Sequence, residues 1–139
     1  MKFKPMACVL VTSLLGFGMS AASAYAGVHE IRFDAEHKYT LSNSIAAGDM
    51  VEVCGDFQKG ETIQWSYQAE RALDFNIHFH VGKKVNFPAK LKQQNEATGK
   101  LKTKLQQTYC WMWTNTSKET TPLNLQLSLE SGLQKRSTM

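Results

Sequence analysis

Apolar and polar residues take turns along most of this chain. Ile63, Trp65 and Tyr67 alternate with Gln64, Ser66 and Gln68, and Phe75, Ile77 and Phe79 with Asn76, His78 and His80. Leu123, Leu125, Leu127 and Leu129 alternate with Asn124, Gln126 and Ser128. A period of two sends successive side chains to opposite faces of an extended backbone, so each run predicts a strand with one buried face. On this ground strands are expected over 28–33, 38–41, 50–54, 62–68, 74–81, 85–87, 109–114 and 123–129, with 101–105 weakly patterned. Turn residues separate them: Ala47-Gly48-Asp49, 57–61, Gly82 and 115–122. The brief strand 85–87 stops at Pro88, which suits a strand end or an edge, because proline cannot donate to a ladder. The polar, lysine-rich run 89–99 reads as a loop or a short helical turn. About eight short strands cannot share one flat sheet with a buried face, so the expected fold is all-β, an antiparallel β-sandwich of about seven to eight strands.

The first residues break the pattern. Lys2 and Lys4 precede an uncharged apolar run from Met6 to about Met19, and small residues close the segment at Ala22-Ser23-Ala24-Tyr25-Ala26. That is the layout of a secretory signal peptide. The run of roughly 14 residues falls short of the ~20 that cross a bilayer, so an N-terminal signal-peptide helix cleaved after Ala24 or Ala26 is expected, not a permanent membrane anchor. The expected divisions are a signal peptide over 1–26, a β-sandwich domain over 27–131 and a flexible tail over 132–139, with the mature protein periplasmic or secreted.

Charge and cysteine content refine this. The formal charge of +4 includes Lys2 and Lys4, so the mature domain is less basic than the whole chain. Nucleic-acid binding needs a concentrated basic footprint, and the lysines between Lys83 and Lys104 read better as a solvated face. No nucleic-acid partner is expected. Cys8 lies in the signal segment, leaving Cys54 and Cys110, which in an exported chain most simply form one disulfide. It would close a loop of about 57 residues, worth on the order of 4 kcal/mol by the chain-entropy estimate. Cys-x-x-Cys spacing, the usual mark of a redox-active pair, is absent.

Four stretches, taken in order, resemble the GOLD (Golgi dynamics) domain and, more closely, GOLD-like bacterial exported proteins. They are Gly48-Asp49-Met50-Val51-Glu52-Val53-Cys54, Ile63-Gln64-Trp65-Ser66-Tyr67, Asp74-Phe75-Asn76-Ile77-His78-Phe79-His80 and Tyr109-Cys110-Trp111-Met112-Trp113-Thr114-Asn115. The resemblance runs from about Gly48 to Leu129. It implies a β-sandwich that serves interaction, not catalysis. The eukaryotic members' role in cargo sorting goes with coiled coils or membrane spans, and is not carried over to this chain.

The sharpest candidate chemistry is His78-Phe79-His80. Residues two apart on a strand share a face, and paired imidazoles are a recurrent half-site for copper or zinc. A third donor must come from elsewhere: His29, His37, Asp74, Glu52, Met50 or Met112. Met112 points to copper, since thioether with imidazole suits that metal in an oxidising compartment. The competing reading has Phe75, Ile77 and Phe79 in the core and both histidines as solvated polar residues. Trp111 and Trp113 likewise either fill the core or form an exposed ligand platform. No Gly-x-Ser-x-Gly elbow or phosphate-binding loop is present, and no enzyme is expected. Asn115-Thr116-Ser117 matches a glycosylation acceptor, without meaning in a bacterial host. The sequence therefore points to a non-catalytic exported binding or accessory protein. Its partner would be an unknown protein or small ligand of the cell envelope, and periplasmic copper binding through His78, His80 and Met112 is the alternative.

Overall fold

The computed structural model describes residues 27–130. The signal peptide expected over 1–26 and the tail expected over 132–139 lie outside the described residues, as does Ser131. The described chain is all-β, with seven strands: β1 (Val28–Glu30), β2 (Lys38–Ile45), β3 (Met50–Phe57), β4 (Thr62–Val81), β5 (Lys84–Lys102), β6 (Gln107–Thr114) and β7 (Thr121–Leu129).

The runs 62–68 and 74–81, expected as two strands, are one. Residues 69–73 lack alternation, and the register against β5 slips between Gln68 and Leu73, so the backbone bends there without leaving the ladder. One edge of β4 serves β5 along most of its length. The other edge pairs β7 over Ile63–Ala69 and β6 over Asp74–His78. The sheet order is β1-β3-β6-β4-β7-β2, with β5 on β4. All pairings are antiparallel except β1 with β3, which is parallel.

This corrects the expected sandwich. Two layers exist, but they belong to one mixed, curled sheet that forks at the bend of β4. Rings from its two halves meet across the core: Trp65 and Tyr67 on the first half of β4 lie 4.8 and 5.1 Å from Phe75 on the second half, and Tyr67 lies 5.5 Å from Trp113 on β6. Val51, Val53, Ile63, Leu123, Leu125 and Leu127 complete the interior around them.

β5 also departs from expectation. It runs through Pro88 and across 89–99, where a loop or helical turn was expected. Among the described residues it pairs with β4 alone, and its exposed lysines lie along that edge, a common protection against edge-to-edge association. Pro88 sits opposite a register shift between Ile77 and Phe79, where the ladder needs no donor from it.

The disulfide forms between Cys54 and Cys110, as expected from the pairing of the mature cysteines. It does not clasp two sheets together. Cys54 and Cys110 are direct cross-strand partners on β3 and β6, with Cα atoms 4.1 Å apart, so the bond lies within one layer.

Candidate functional site

Alternation decides which side chains of β3, β6 and the second half of β4 look outward. Val51 and Val53, Trp111 and Trp113, and Phe75 and Ile77 fill the core. Glu52 and Cys54, Cys110 and Met112, and Asn76, His78 and His80 therefore share the opposite face. Cross-strand register sets them in two rows: Glu52, Met112 and Asn76 in one, Cys54, Cys110 and His78 in the next.

Trp111 and Trp113 are 0% exposed, which corrects the ligand-platform reading. The energetics favour the interior even though their indole N–H groups have no hydrogen-bond partner. A buried aromatic ring removes on the order of 150–250 Å² from water, worth roughly 4–6 kcal/mol, against about 1–3 kcal/mol for an unmade hydrogen bond.

His78 is no solvated residue either; it is 6% exposed. Its Nε2 lies 3.0 Å from Glu52 Oε1, and its Nδ1 lies 2.8 Å from Asn76 Oδ1. Burial holds its pKa below the ordinary histidine value; Glu52 works against that shift and the neighbouring His80 adds to it. The His80 ring is exposed, 5.4 Å from the His78 ring. One ligand atom each from Glu52, His78 and Cys110 falls within 4.8 Å of the others, although the Cys110 sulfur is tied up in the disulfide.

Of the donors considered, Met50, Glu52, Asp74 and Met112 share this face with the histidines. His29 and His37 do not: His29 hydrogen-bonds Asn43 on the inner side of β1, and His37 lies in the turn before β2 with φ 59°. Asp74 is engaged by the Gln93 side chain at 2.9 Å. His78, His80 and Met112 are thus brought to one face, but His78 is directed toward Glu52. Asn76 went unrecognised as a site residue, although its place two residues before His78 was a usable signal.

Beyond His78 the pairing of β4 with β6 stops, and β4 and β5 continue alone to the turn at Gly82, whose φ is 59°. Val81, Val85 and Phe87 are exposed there, Phe87 at 44%. The Phe87 ring lies 6.0 Å from that of His78, and Lys90 Nζ stands 3.9 Å above it, a cation–π contact. With Lys83 and Lys84 at the turn, the histidine face runs into a projecting tip that is apolar and basic. No periodic signal marks such a surface, because Phe87 looks like any strand residue until its partner strands run out. The other half of the sheet carries an open trough of about 780 Å³, lined by polar residues such as Thr40, Ser66 and Gln126 and by apolar ones such as Leu41 and Leu125.

Fold and face together define a small all-β protein: a curled sheet with a histidine face backed by a disulfide, and a projecting hairpin. No family model and no curated protein matches the sequence. Solved structures share the fold. Aeromonas hydrophila PliG, a periplasmic inhibitor of g-type lysozyme, superposes with a TM-score of 0.57 at 15% identity, over 75% of this chain and 96% of its own. Salmonella Typhimurium PliG, with the same description, gives 0.54 at 12% identity over 75% and 98%. The pre-peptidase C-terminal domain of Bacillus anthracis collagenase gives 0.51 at 16% over 74% and 94%. At such identities the likeness is one of fold.

Proposed function

We propose that this chain is an exported, non-catalytic binding protein of the cell envelope, GOLD-like in descent, that engages a protein partner through the tip of the β4–β5 hairpin. The observation that carries the reading is the cluster of exposed Val81, Val85 and Phe87 beside Lys83, Lys84 and Lys90. Exposed apolar side chains gathered at one projection mark an interaction surface, and an aromatic with a basic rim is a common anchor. The shared fold of periplasmic proteins that inhibit g-type lysozyme supports a protein partner, and makes g-type lysozyme the first to try. The signal-like N-terminus and the disulfide support export.

Calorimetric titration of the mature protein with a g-type lysozyme tests this. Binding at micromolar affinity or better is expected, weakened about 30-fold by Phe87→Ala, the loss of one anchor worth roughly 2 kcal/mol. Absence of binding removes the lysozyme, and unchanged binding by Phe87→Ala removes the tip.

A second reading, periplasmic copper binding through His78, His80 and Met112, is favoured by their common face. Copper titration of the wild type against His78→Ala/His80→Ala decides it: equal uptake by both proteins eliminates it.

A further inference from the structure

The Cys54, Cys110, His78 and Glu52 side chains meet on the outer face of one layer, contributed by three adjacent strands. We propose that these four residues form a reduction-gated site for a thiophilic divalent cation of the zinc class. The proposal is independent of the hairpin-tip reading, since it does not use Phe87, and it shares His78 but neither His80 nor Met112 with the copper reading.

Half of the site is already assembled. Glu52 Oε1 and His78 Nε2 stand 3.0 Å apart, and Cys110 Sγ lies within 4.8 Å of the ligand atoms of both. A tetrahedral site with bonds of roughly 2.0–2.3 Å needs ligand atoms about 3.3–3.8 Å apart, so adjustments of a few tenths of an ångström to about an ångström suffice. Asn76 Oδ1 accepts from His78 Nδ1 at 2.8 Å, the outer contact that fixes a metal-binding imidazole with Nε2 toward the ion. A cation would seat between Glu52 Oε1 and His78 Nε2, in place of their direct contact. The site is also shielded from water: the His78 and Glu52 side chains are 8% and 16% exposed.

The missing ligands are the two thiolates, withheld by the disulfide. Disulfide sulfurs carry no charge and are poor donors, which leaves two strong ligands where zinc takes four. Reduction supplies the rest. A dithiol reductant transfers two electrons and two protons, becoming a disulfide itself while Cys54 and Cys110 become thiols. Coordination then releases both protons as the thiolates bind the cation. The sulfurs stay together after the bond breaks because the ladder, not the bond, positions them: β3 and β6 pair without a slip from Met50↔Thr114 to Phe57↔Gln107.

Cobalt(II) titration of the mature protein tests this, before and after reduction with a phosphine and with far-ultraviolet circular dichroism recorded at each point. The reduced protein is expected to take up one equivalent with a thiolate-to-cobalt charge-transfer band, and zinc to bleach it. The disulfide form should show no such band. His78→Ala and Glu52→Gln should each weaken uptake at least tenfold, and Asn76→Ala, which touches no ion, about 10- to 100-fold. His80→Ala and Met112→Leu should leave it unchanged. Equal uptake in the disulfide form, indifference to His78→Ala, or a reduced protein that unfolds and is not refolded by zinc would each overturn the proposal.

Discussion

Asn115 has no exposed surface and every polar atom of its side chain is engaged. Its Nδ2 donates to the carbonyls of Ile45, Ala46 and Glu119, and its Oδ1 accepts from the backbone and hydroxyl of Ser117. Its backbone pairs with Gly48 and Asp49 across the turn from β2 to β3. The apparent glycosylation acceptor is, in the folded domain, a buried clamp between two turns. Asn115→Ala should cost at least about 2 kcal/mol, because buried carbonyls lose their donor, and urea unfolding measures it. His78 gives the second prediction at this scale. Its pKa is lower in the folded chain than in the unfolded one, so on acidification the unfolded chain takes up the proton first. Stability should fall as pH drops below about 6.5, and more steeply in the wild type than in His78→Gln. Unfolding midpoints of both proteins across that range read the difference. Among the site residues, the shared face of His78 and His80 was legible from alternation, but Met112's place on it was not. Nor was the pairing of His78 with Glu52, since it depends on which strands become neighbours.

Elements were legible where both faces of a strand announced themselves. Leu123–Leu129 and Tyr109–Thr114 alternate strongly and fall inside β7 and β6. The stretch of β5 over 89–99 was missed because much of its inner face is written in small residues. Ala97 and Gly99 lie opposite Tyr67 and Trp65, whose rings occupy the volume that larger inward side chains would have filled. A Cβ on Gly99 would stand 2.5 Å from Cζ2 of Trp65, so the glycine is there to let the indole lie against the strand. Gly99→Ala should destabilise by about 1–3 kcal/mol, since the indole is packed against Phe75 and has little room to retreat. Tryptophan fluorescence during denaturation would report both the loss and the ring's displacement. Restoration by Trp65→Phe in the Gly99→Ala background would tie the effect to that contact.

At the scale of the molecule, composition and period sufficed for an all-β class and one disulfide. They did not reach the sheet's curl, because a strand that changes partners midway looks in sequence like two strands and a connection. The disulfide joins strands already paired, so its stabilising action lies in the unfolded chain, where it closes a segment with a sequence separation of 56. Cys54→Ala/Cys110→Ala should lose about 4 kcal/mol and keep the native fold, checked by guanidinium titration and circular dichroism.

β4 has a further implication. Because the same backbone supplies the middle of both layers, the protein has no separable half. Cleavage at Gly82 together with reduction of the Cys54–Cys110 bond, which spans the cut, would yield two pieces, each holding strands of both layers and neither able to close an interior unaided. Mixing the pieces should restore what each lacks. For such a chain, inheritance is all or nothing: it can be lengthened at its tip or decorated on its faces, but not shortened by a layer.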